Sequence, residues 1–169
     1  TKYRQALELG PTYKAAMINL ASVLLNEKGE LVESMQLVDR VLGLDPKDPM
    51  AHGLRGDVLS RRNRYDEAIR EYRFVIQAYP AFAPAYNRLG DCYLRKGDPA
   101  AAMTEFKNAL RIKPHDAEAH YGLGSVYQRK RMWREAEAEL QQATRLDPGL
   151  KKAFDSLDQV RAQISGSQR

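Results

Sequence analysis

Four side chains that commonly bind metals lie within six residues of one another: His115, Asp116, Glu118 and His120. Imidazole and carboxylate groups bind zinc, and this spacing could hold an ion across the start of a helix. Structural zinc, however, takes four well-spaced ligands and favours thiolates, and Cys92 is the only cysteine. The pattern therefore predicts no metal site, and nothing else in the sequence predicts a cofactor.

Motifs for covalent or nucleotide chemistry are incomplete. Cys92 is predicted to be a semi-buried thiol beside the core residue Tyr93, and no His or Asn is placed to activate it. The segment Gly122–Ser125 resembles the start of a dinucleotide fingerprint, but the third glycine and the preceding strand are missing. The sequence also has no phosphate loop, no His-Glu-x-x-His and no Gly-x-Ser-x-Gly. We therefore predict that the protein is not an enzyme.

Composition limits the class of protein. The chain has 169 residues, 43% of them hydrophobic, which is enough for a substantial core. No stretch approaches the roughly 20 apolar residues that span a bilayer, so no membrane span is predicted. One cysteine excludes a disulfide framework, and 11 Gly with 8 Pro exclude collagen-like sequence.

Four columns of residues recur every 34 positions, and together they predict an internal repeat. The columns are Pro46, Pro80, Pro114 and Pro148; Gly56, Gly90 and Gly124; Ser34, Ala68, Ala102 and Ala136; and Val38, Tyr72, Phe106 and Leu140. His52 and His120 are two periods apart, so we interpret both as packing residues rather than ligands. Trp133 continues a column through Leu31, Tyr65 and Pro99, which predicts a core position at a turn.

Each repeat is predicted to form two helices. In the repeat that begins near residue 83, apolar residues recur at three and four positions up to Tyr93. Asp98 is then a good N-cap and Pro99 suits the first position of a second helix. Gly90 lets the two helices approach closely, while Phe106 fills the space between neighbouring repeats.

This pattern resembles the tetratricopeptide repeat, a 34-residue helix–turn–helix. Residues 83–116 carry its signature in Tyr86, Leu89, Gly90, Tyr93, Ala102, Phe106, Ala109 and Pro114. The first repeat has one extra residue, which we place in the turn Glu27–Leu31. The resemblance implies an all-α fold, a right-handed α-solenoid of antiparallel helix pairs, and the plain repeats with short turns resemble bacterial arrays.

The predicted organisation is four tetratricopeptide units with a leading half-helix and a C-terminal capping helix. The segments are 1–13 (the end of a truncated preceding repeat), 14–48, 49–82, 83–116 and 117–150 (the units), and 151–169 (capping helix and tail). Leu7 and Leu9 are expected to form an uncovered apolar face on the leading helix. We therefore expect partial self-association through this truncated N-terminal end.

The resemblance implies that the concave face, formed by the first helix of each unit, binds a partner. The predicted groove residues are Asn19, Asp57, Arg61, Asn87, Arg88, Asp91, Arg95, Tyr121, Ser125 and Arg129. Asp57 with Arg61, and Asp91 with Arg95, are spaced i, i+4, and such pairs contribute only about 0.3–0.5 kcal/mol. They can equally pair on the helix surface or bind a ligand.

Two basic runs, Arg61–Arg64 and Arg129–Arg134, have the composition of a nucleic-acid contact. Both fall where a first helix is expected to end, and cationic side chains there interact favourably with the negative end of the helix dipole. Lys and Arg exceed Asp and Glu by only 5, and no repeat is polarised enough for a phosphate-binding stripe. A weak nucleic-acid binder is therefore an alternative rather than the leading hypothesis.

One binding mode of the family can be tested residue by residue. Chaperone-adaptor members grip a C-terminal carboxylate pair with Lys, Asn and Arg side chains at five places. Those places read Ile18, Ser22, Leu54, Pro84 and Arg88 here, and only Arg88 fits. We therefore predict that the chain does not bind chaperone tails by this carboxylate clamp.

The leading functional hypothesis is a non-catalytic scaffold for protein–protein interaction. It would bind a peptide or a helix of a partner protein in its concave groove, with Tyr121 as a rigid aromatic contact. An alternative is the regulatory or targeting region of a larger enzyme or of a secretion or assembly machine. The sequence does not distinguish a cytoplasmic from a periplasmic location.

Overall fold

The structure is a computed structural model that describes residues 2–166. Within this range the chain forms ten α-helices and one π-helical turn. The helices are α1 Lys2–Leu9, α2 Lys14–Val23, α3 Leu31–Leu44, α4 Pro49–Arg61, α5 Tyr65–Ala78, α6 Ala83–Lys96, α7 Pro99–Ile112, α8 Ala117–Arg129, α9 Trp133–Leu146 and α10 Lys151–Gly166, and the π-helical turn Leu24–Lys28 follows α2. Thr1 and residues 167–169, which belong to the predicted end segments, lie outside the described residues.

The chain divides into two compact units, residues 1–80 and residues 81–169. The first unit contains α1 to α5 and the second contains α6 to α10. In each unit every helix packs against the next one in sequence, and first helices of successive repeats also touch. The predicted all-α fold of paired helices is therefore confirmed. None of the helices in the described range is long and apolar enough to cross a bilayer.

A residue with left-handed backbone follows the first helix in each of the four repeats. These residues recur every 34 positions: Gly29, Asn63, Gly97 and Arg131, with φ of 66°, 58°, 91° and 56°. Glycine adopts this conformation freely and asparagine tolerates it, whereas other L-residues are disfavoured there by roughly 1–2 kcal/mol. Arg131 is therefore the member of the column whose residue type does not suit its backbone.

The backbone narrows the position of the extra residue of the first repeat. It was expected in the turn Glu27–Leu31, and Gly29 is in step with the left-handed residues of the later repeats. The extra residue therefore precedes Gly29, where the chain forms the π-helical turn Leu24–Lys28. A π-helical turn holds one more residue than an α-helical turn, so it accommodates the insertion without moving the next helix.

Glycines allow the close helix contacts that the repeat predicted. A Cβ atom on Gly90 would lie 2.9 Å from Cε1 of Phe106, and one on Gly124 would lie 2.7 Å from Cγ of Leu140. The tightest contact involves Gly122, where a Cβ atom would lie 2.3 Å from the same Phe106 atom. Phe106 is thus held between the first helix of its own repeat and that of the next.

The cores of the two units come from the predicted small and bulky columns. In the first unit, buried side chains of α2, α3 and α4 form one cluster that includes Leu20, Val38 and Val41. In the second unit, Phe106 and Leu140 belong to clusters that join α6 through α10. Cys92 is fully buried. The prediction of a semi-buried thiol was wrong, because α6 contributes its whole inner face to the core.

The terminal helices differ in how their apolar residues are covered. Leu7 packs against the core of the first unit, whereas Leu9 is 92% exposed. Of the two residues proposed for self-association, Leu9 alone is therefore open. On α10, Leu157 and Val160 are buried against α9, and Arg161 binds Glu137 across that contact at 2.9 Å.

Candidate functional site

The first helices of the second unit, α6, α8 and α10, line an open groove. It consists of two adjoining pockets of about 530 and about 1000 Å³, in or above the size range of small-ligand clefts. The pockets share the residues Asp91, Leu94, Arg95, Tyr121 and Ser125, so they form one continuous surface. We call this surface the α6–α8–α10 groove.

Seven of the ten predicted residues line this groove. They are Asn87, Arg88, Asp91, Arg95, Tyr121, Ser125 and Arg129. The contribution of α10 was not predicted from the sequence, where this helix was expected only to cap the array. Extending the repeat columns by one period would have found it, because Lys152 follows Glu118 by 34 residues and Gln159 follows Ser125 by 34.

Two acidic groups in the groove are paired with cations of the same chain. Nε of Arg95 donates to Oδ2 of Asp91 at 2.9 Å, so the predicted i, i+4 pair forms on α6. Nζ of Lys152 donates to Glu118 at 2.6 Å, and the same ammonium lies 4.6 Å from the centre of the Tyr121 ring. Tyr121 is therefore held in place by a cation–π contact from α10.

The third acidic group, Asp116, is buried at the start of α8. Its side chain accepts hydrogen bonds from the backbone N–H of Glu118 and from Nδ2 of Asn87, both at 3.1 Å. Oδ1 of Asn87 is buried and has no hydrogen-bond partner among the described residues. Leaving a buried acceptor unpaired is unfavourable by roughly 1–3 kcal/mol, which marks Asn87 as a polar position that folding alone does not explain.

Three cationic side chains of the groove remain open. Lys113, Arg129 and Arg131 are exposed, and their side chains make no ion pair or hydrogen bond with any other part of the chain that the structure describes. Arg131 was not among the predicted residues. Its place in the left-handed column could have revealed it, because an arginine there is unfavourable for the turn.

Residues 5–163 match the family model of the cilia and flagella-associated protein 70 C-terminal domain, a tetratricopeptide-repeat domain. The chain belongs to this family. A curated relative, TPR repeat-containing thioredoxin TTL4 from Arabidopsis thaliana, is 31% identical over 72 residues, which are 43% of this chain and 11% of that protein. The match thus spans about a tenth of the relative's length.

Solved tetratricopeptide-repeat structures share the fold at low sequence identity. MamA has a TM-score of 0.72 and 21% identity, with 89% of this chain and 87% of that chain covered. YrrB, described as a TPR protein with an unusual peptide-binding site, has a TM-score of 0.69 and 24% identity, with 98% and 84% covered. These similarities confirm the tetratricopeptide architecture inferred from the 34-residue columns.

Trp133 lies at the first position of α9, at the edge of the groove. It is half-buried, packs against a cluster that includes Leu140 and Leu157, and also lines the groove beside Arg131. The repeat column predicted a core residue, and this prediction is correct in part, because the side chain packs against the core cluster and also lines the groove.

The three predicted groove residues of the first unit have different surroundings. Asn19 is exposed on α2, and Asp57 accepts a hydrogen bond from the Tyr72 hydroxyl at 2.7 Å. Arg61 donates to the backbone oxygen of Leu25 and, at 2.9 Å, to Oδ1 of Asn26. Arg61 thus links α4 to the π-helical turn that follows α2 in the preceding repeat.

His52 and His120 lie two repeats apart and make equivalent hydrogen bonds. Nδ1 of His52 lies 2.6 Å from Glu71, and Nδ1 of His120 lies 2.7 Å from Glu139. In each case Nε2 contacts the backbone oxygen of the proline six residues earlier. Their packing role therefore includes a polar contact between the paired helices. Among the described residues, no group of three or more His, Cys, Asp or Glu is placed to hold a metal ion.

Proposed function

We propose that the chain is a non-catalytic protein-interaction scaffold, and that the α6–α8–α10 groove binds a peptide or a helix of a partner protein. The observation that carries this proposal is the groove itself: it is open, and residues singled out by the tetratricopeptide resemblance line it. A scaffold of this family presents its first helices to a ligand, and here three consecutive first helices contribute polar, cationic and aromatic side chains.

The composition of the groove supports a protein ligand. Arginine and tyrosine are enriched among the residues that dominate protein–protein binding energy, and both types line this surface. Tyr121 packs partly buried against two core clusters and contacts Lys152, so part of its side-chain freedom is already lost before a partner packs against it. YrrB, which shares the fold, is described as having a peptide-binding site, and this is consistent with the same use here.

Site-specific photocrosslinking tests the proposal. Benzoylphenylalanine at Ser125 places the reactive group in the groove, and the same residue at Lys107 places it on the exposed face of α7. In a lysate of the source cells, we expect a defined crosslinked partner from Ser125 and none of the same mass from Lys107. The reversed pair Asp91→Arg with Arg95→Glu keeps the net charge and should lose that partner while its circular dichroism is unchanged.

Crosslinking of the same partner from both positions, or its retention by the reversed pair, would show that the groove is not the binding surface. The crosslinked protein is then produced separately, and its affinity for the purified chain is measured. Direct binding that depends on the groove is the result that establishes the scaffold function.

A second candidate is that the repeats are the targeting or regulatory region of a larger protein. The similarity to TTL4 favours it, because the match covers only 11% of a protein that is named as a thioredoxin with TPR repeats. The full-length transcript of the source gene tests this candidate. An additional enzymatic domain in the same reading frame would support it, and a reading frame that holds repeats alone would contradict it.

A further inference from the structure

We propose that the α6–α8–α10 groove selects an acidic, extended peptide segment. This inference rests on the proposed function and adds the chemistry of the ligand. Carboxylates of the peptide would pair with Arg129 and Arg131 at one end of the groove and with Lys113 at the other. An apolar or aromatic side chain would pack between them, against Leu94 and Tyr121.

The charge of the groove is strongly one-sided. Six cationic side chains line it, against three acidic ones. The cations are Arg88, Arg95, Lys113, Arg129, Arg131 and Lys152. The chain as a whole carries 27 basic and 22 acidic residues, so the excess of positive charge in the groove is far above the average for the sequence. Complementary charge is the usual basis of orientation and partner choice at protein interfaces.

The acidic groups of the groove do not attract a basic ligand, because the chain itself already pairs them. Asp91 binds Arg95, Glu118 binds Lys152, and Asp116 caps α8 while accepting from Asn87. The cationic side chains that remain open to a ligand are Lys113, Arg129 and Arg131. A basic peptide would have to break existing ion pairs, whereas an acidic peptide would meet unpaired guanidinium and ammonium groups.

The middle of the groove suits an uncharged side chain. Leu94, which is 7% exposed, and the half-buried Tyr121 both line it. Both pockets share these two residues, so a side chain seated there lies between the cationic ends. The ligand pattern is therefore acidic residues on both sides of an apolar one.

Arg131 provides an independent argument. It is the residue at the left-handed position of its repeat, where the other three repeats have Gly or Asn. A strained residue that also lines an open site is a candidate for function rather than for stability. Arg131 lines the same pocket as Trp133 and Arg129, and the two arginines form the basic end of the groove.

A peptide library without a preset sequence tests the charge preference. Random dodecapeptides displayed on phage are selected on the wild-type chain, and the net charge of the retained peptides is compared with that of the starting library. We expect enrichment of Asp and Glu around an apolar residue. One enriched peptide is then synthesised with a fluorescent label, together with its analogue in which Gln and Asn replace Glu and Asp. The amide analogue should bind at least about tenfold weaker.

Matched variants locate the interaction. Arg129→Glu with Arg131→Glu reverses the basic end of the groove. Lys107→Glu with Lys130→Glu changes the net charge by the same amount at exposed positions that do not line the groove. We expect the first pair to abolish binding of the labelled peptide and the second to change its affinity less than threefold. Circular dichroism checks that both variants remain helical.

The outcomes separate the two proposals. Retained peptides that need the groove but show no acidic enrichment would overturn the charge preference and leave the proposed function standing. A selection that retains no peptide, or retains peptides that bind both variants equally, would overturn the proposed function and the charge preference with it. A labelled twelve-nucleotide uridine RNA that binds the groove as tightly as the acidic peptide would replace the peptide with a nucleic acid as the ligand.

Discussion

The basic runs at the ends of α4 and α8 occupy the same place in the repeat, two periods apart, yet they have different roles. Arg61 in the first unit donates to Leu25 and Asn26 of the preceding repeat. Arg129 in the second unit makes no comparable contact among the described residues and lines an open groove. Equivalent arginines therefore serve the fold in one unit and are available to a ligand in the other.

A single inserted residue explains the difference. In the third repeat the N–H of Asp98 donates to the backbone oxygen of Tyr93, five residues earlier. In the first repeat the N–H of Glu30 reaches Leu24 instead, six residues earlier, because of the π-helical turn. This shift leaves the oxygen of Leu25, which corresponds to Tyr93, without its backbone donor. Arg61 provides the missing hydrogen bond.

Removing the ring of Phe106 should have the largest effect on stability, and its effect on hydrogen exchange should differ between the two units. Phe106 is 3% exposed and packs against Gly90 and Gly122, so Phe106→Ala should reduce the free energy of unfolding by about 3–5 kcal/mol. Repeats contact mainly their neighbours, so hydrogen exchange should accelerate in α6 to α9 more than in α2 to α4. Hydrogen exchange with mass spectrometry measures this directly.

Tyr72→Phe is the matched control, because Tyr72 occupies the same column in the first unit. It removes only the hydroxyl that donates to Asp57 and should destabilise by about 1 kcal/mol. Equal acceleration of exchange in both units after Phe106→Ala would contradict the division into separate compact units.

Truncating the equivalent arginines tests the comparison itself. Arg61→Ala removes two hydrogen bonds to the preceding repeat, and partial solvent exposure limits the loss to about 1–2 kcal/mol. Arg129→Ala removes no hydrogen bond or ion pair within the described residues and should change the free energy of unfolding by less than about 0.5 kcal/mol. Urea denaturation of both variants gives the two values.

Deleting Glu27 tests the cause and keeps Asn26, the other acceptor of Arg61. Deletion should convert the π-helical turn to an α-helical one, with Leu24 five residues before Glu30 and Leu25 three residues before Gly29. The N–H of Gly29 should then donate to the oxygen of Leu25, as the N–H of Gly97 donates to Leu94 in the third repeat. Arg61→Ala should then be less destabilising than in the wild-type background, by about 0.5–1 kcal/mol of coupling. Additive effects of the deletion and the substitution would refute the explanation by insertion.

The sequence predicted the helix pairs because steric requirements recur with the repeat. A glycine opposite Phe106 or Leu140 is required wherever two helices approach closely, so the columns reveal the packing. The hydrogen bonds of Arg61 could not be predicted, because they depend on which backbone carbonyl oxygen lacks a donor at the end of another helix. The contribution of α10 to the groove was not predicted, because Lys152 and Gln159 continue the repeat columns but do not match the residue types of the family signature.

Among the residues with left-handed backbone, Asn63 suits this conformation, whereas Arg131 does not and is a candidate for a role other than stability. Arg131→Gly removes a backbone conformation that is unfavourable by about 1–2 kcal/mol, but it also raises the conformational entropy of the unfolded chain. We therefore expect the free energy of unfolding to rise by about 0.5–1 kcal/mol. Asn63→Gly should give a smaller gain, since asparagine tolerates this conformation. Thermal unfolding measures both. A lower melting temperature for Arg131→Gly would mean that the arginine stabilises the second unit.

An exposed ion pair of the first unit should give the smallest effect. The hydrogen bond from Lys14, at 2.7 Å, and a second one from the N–H of Lys47 lower the pKa of Asp45 below its ordinary value. The folded state therefore favours the charged carboxylate. This contribution is complete above the ordinary pKa of about 4 and is lost as the pH falls through the lower folded value.

Lys14→Met should therefore reduce the difference between the free energies of unfolding at pH 7 and pH 3. The matched variant Lys47→Met keeps the backbone donor and should preserve more of that difference. Both side chains of the pair are about two-fifths exposed, so solvent screening keeps the effect small and 1 M salt should diminish it further. Identical pH dependence in Lys14→Met and the wild type would mean that Lys14 does not lower the pKa of Asp45 in the folded chain.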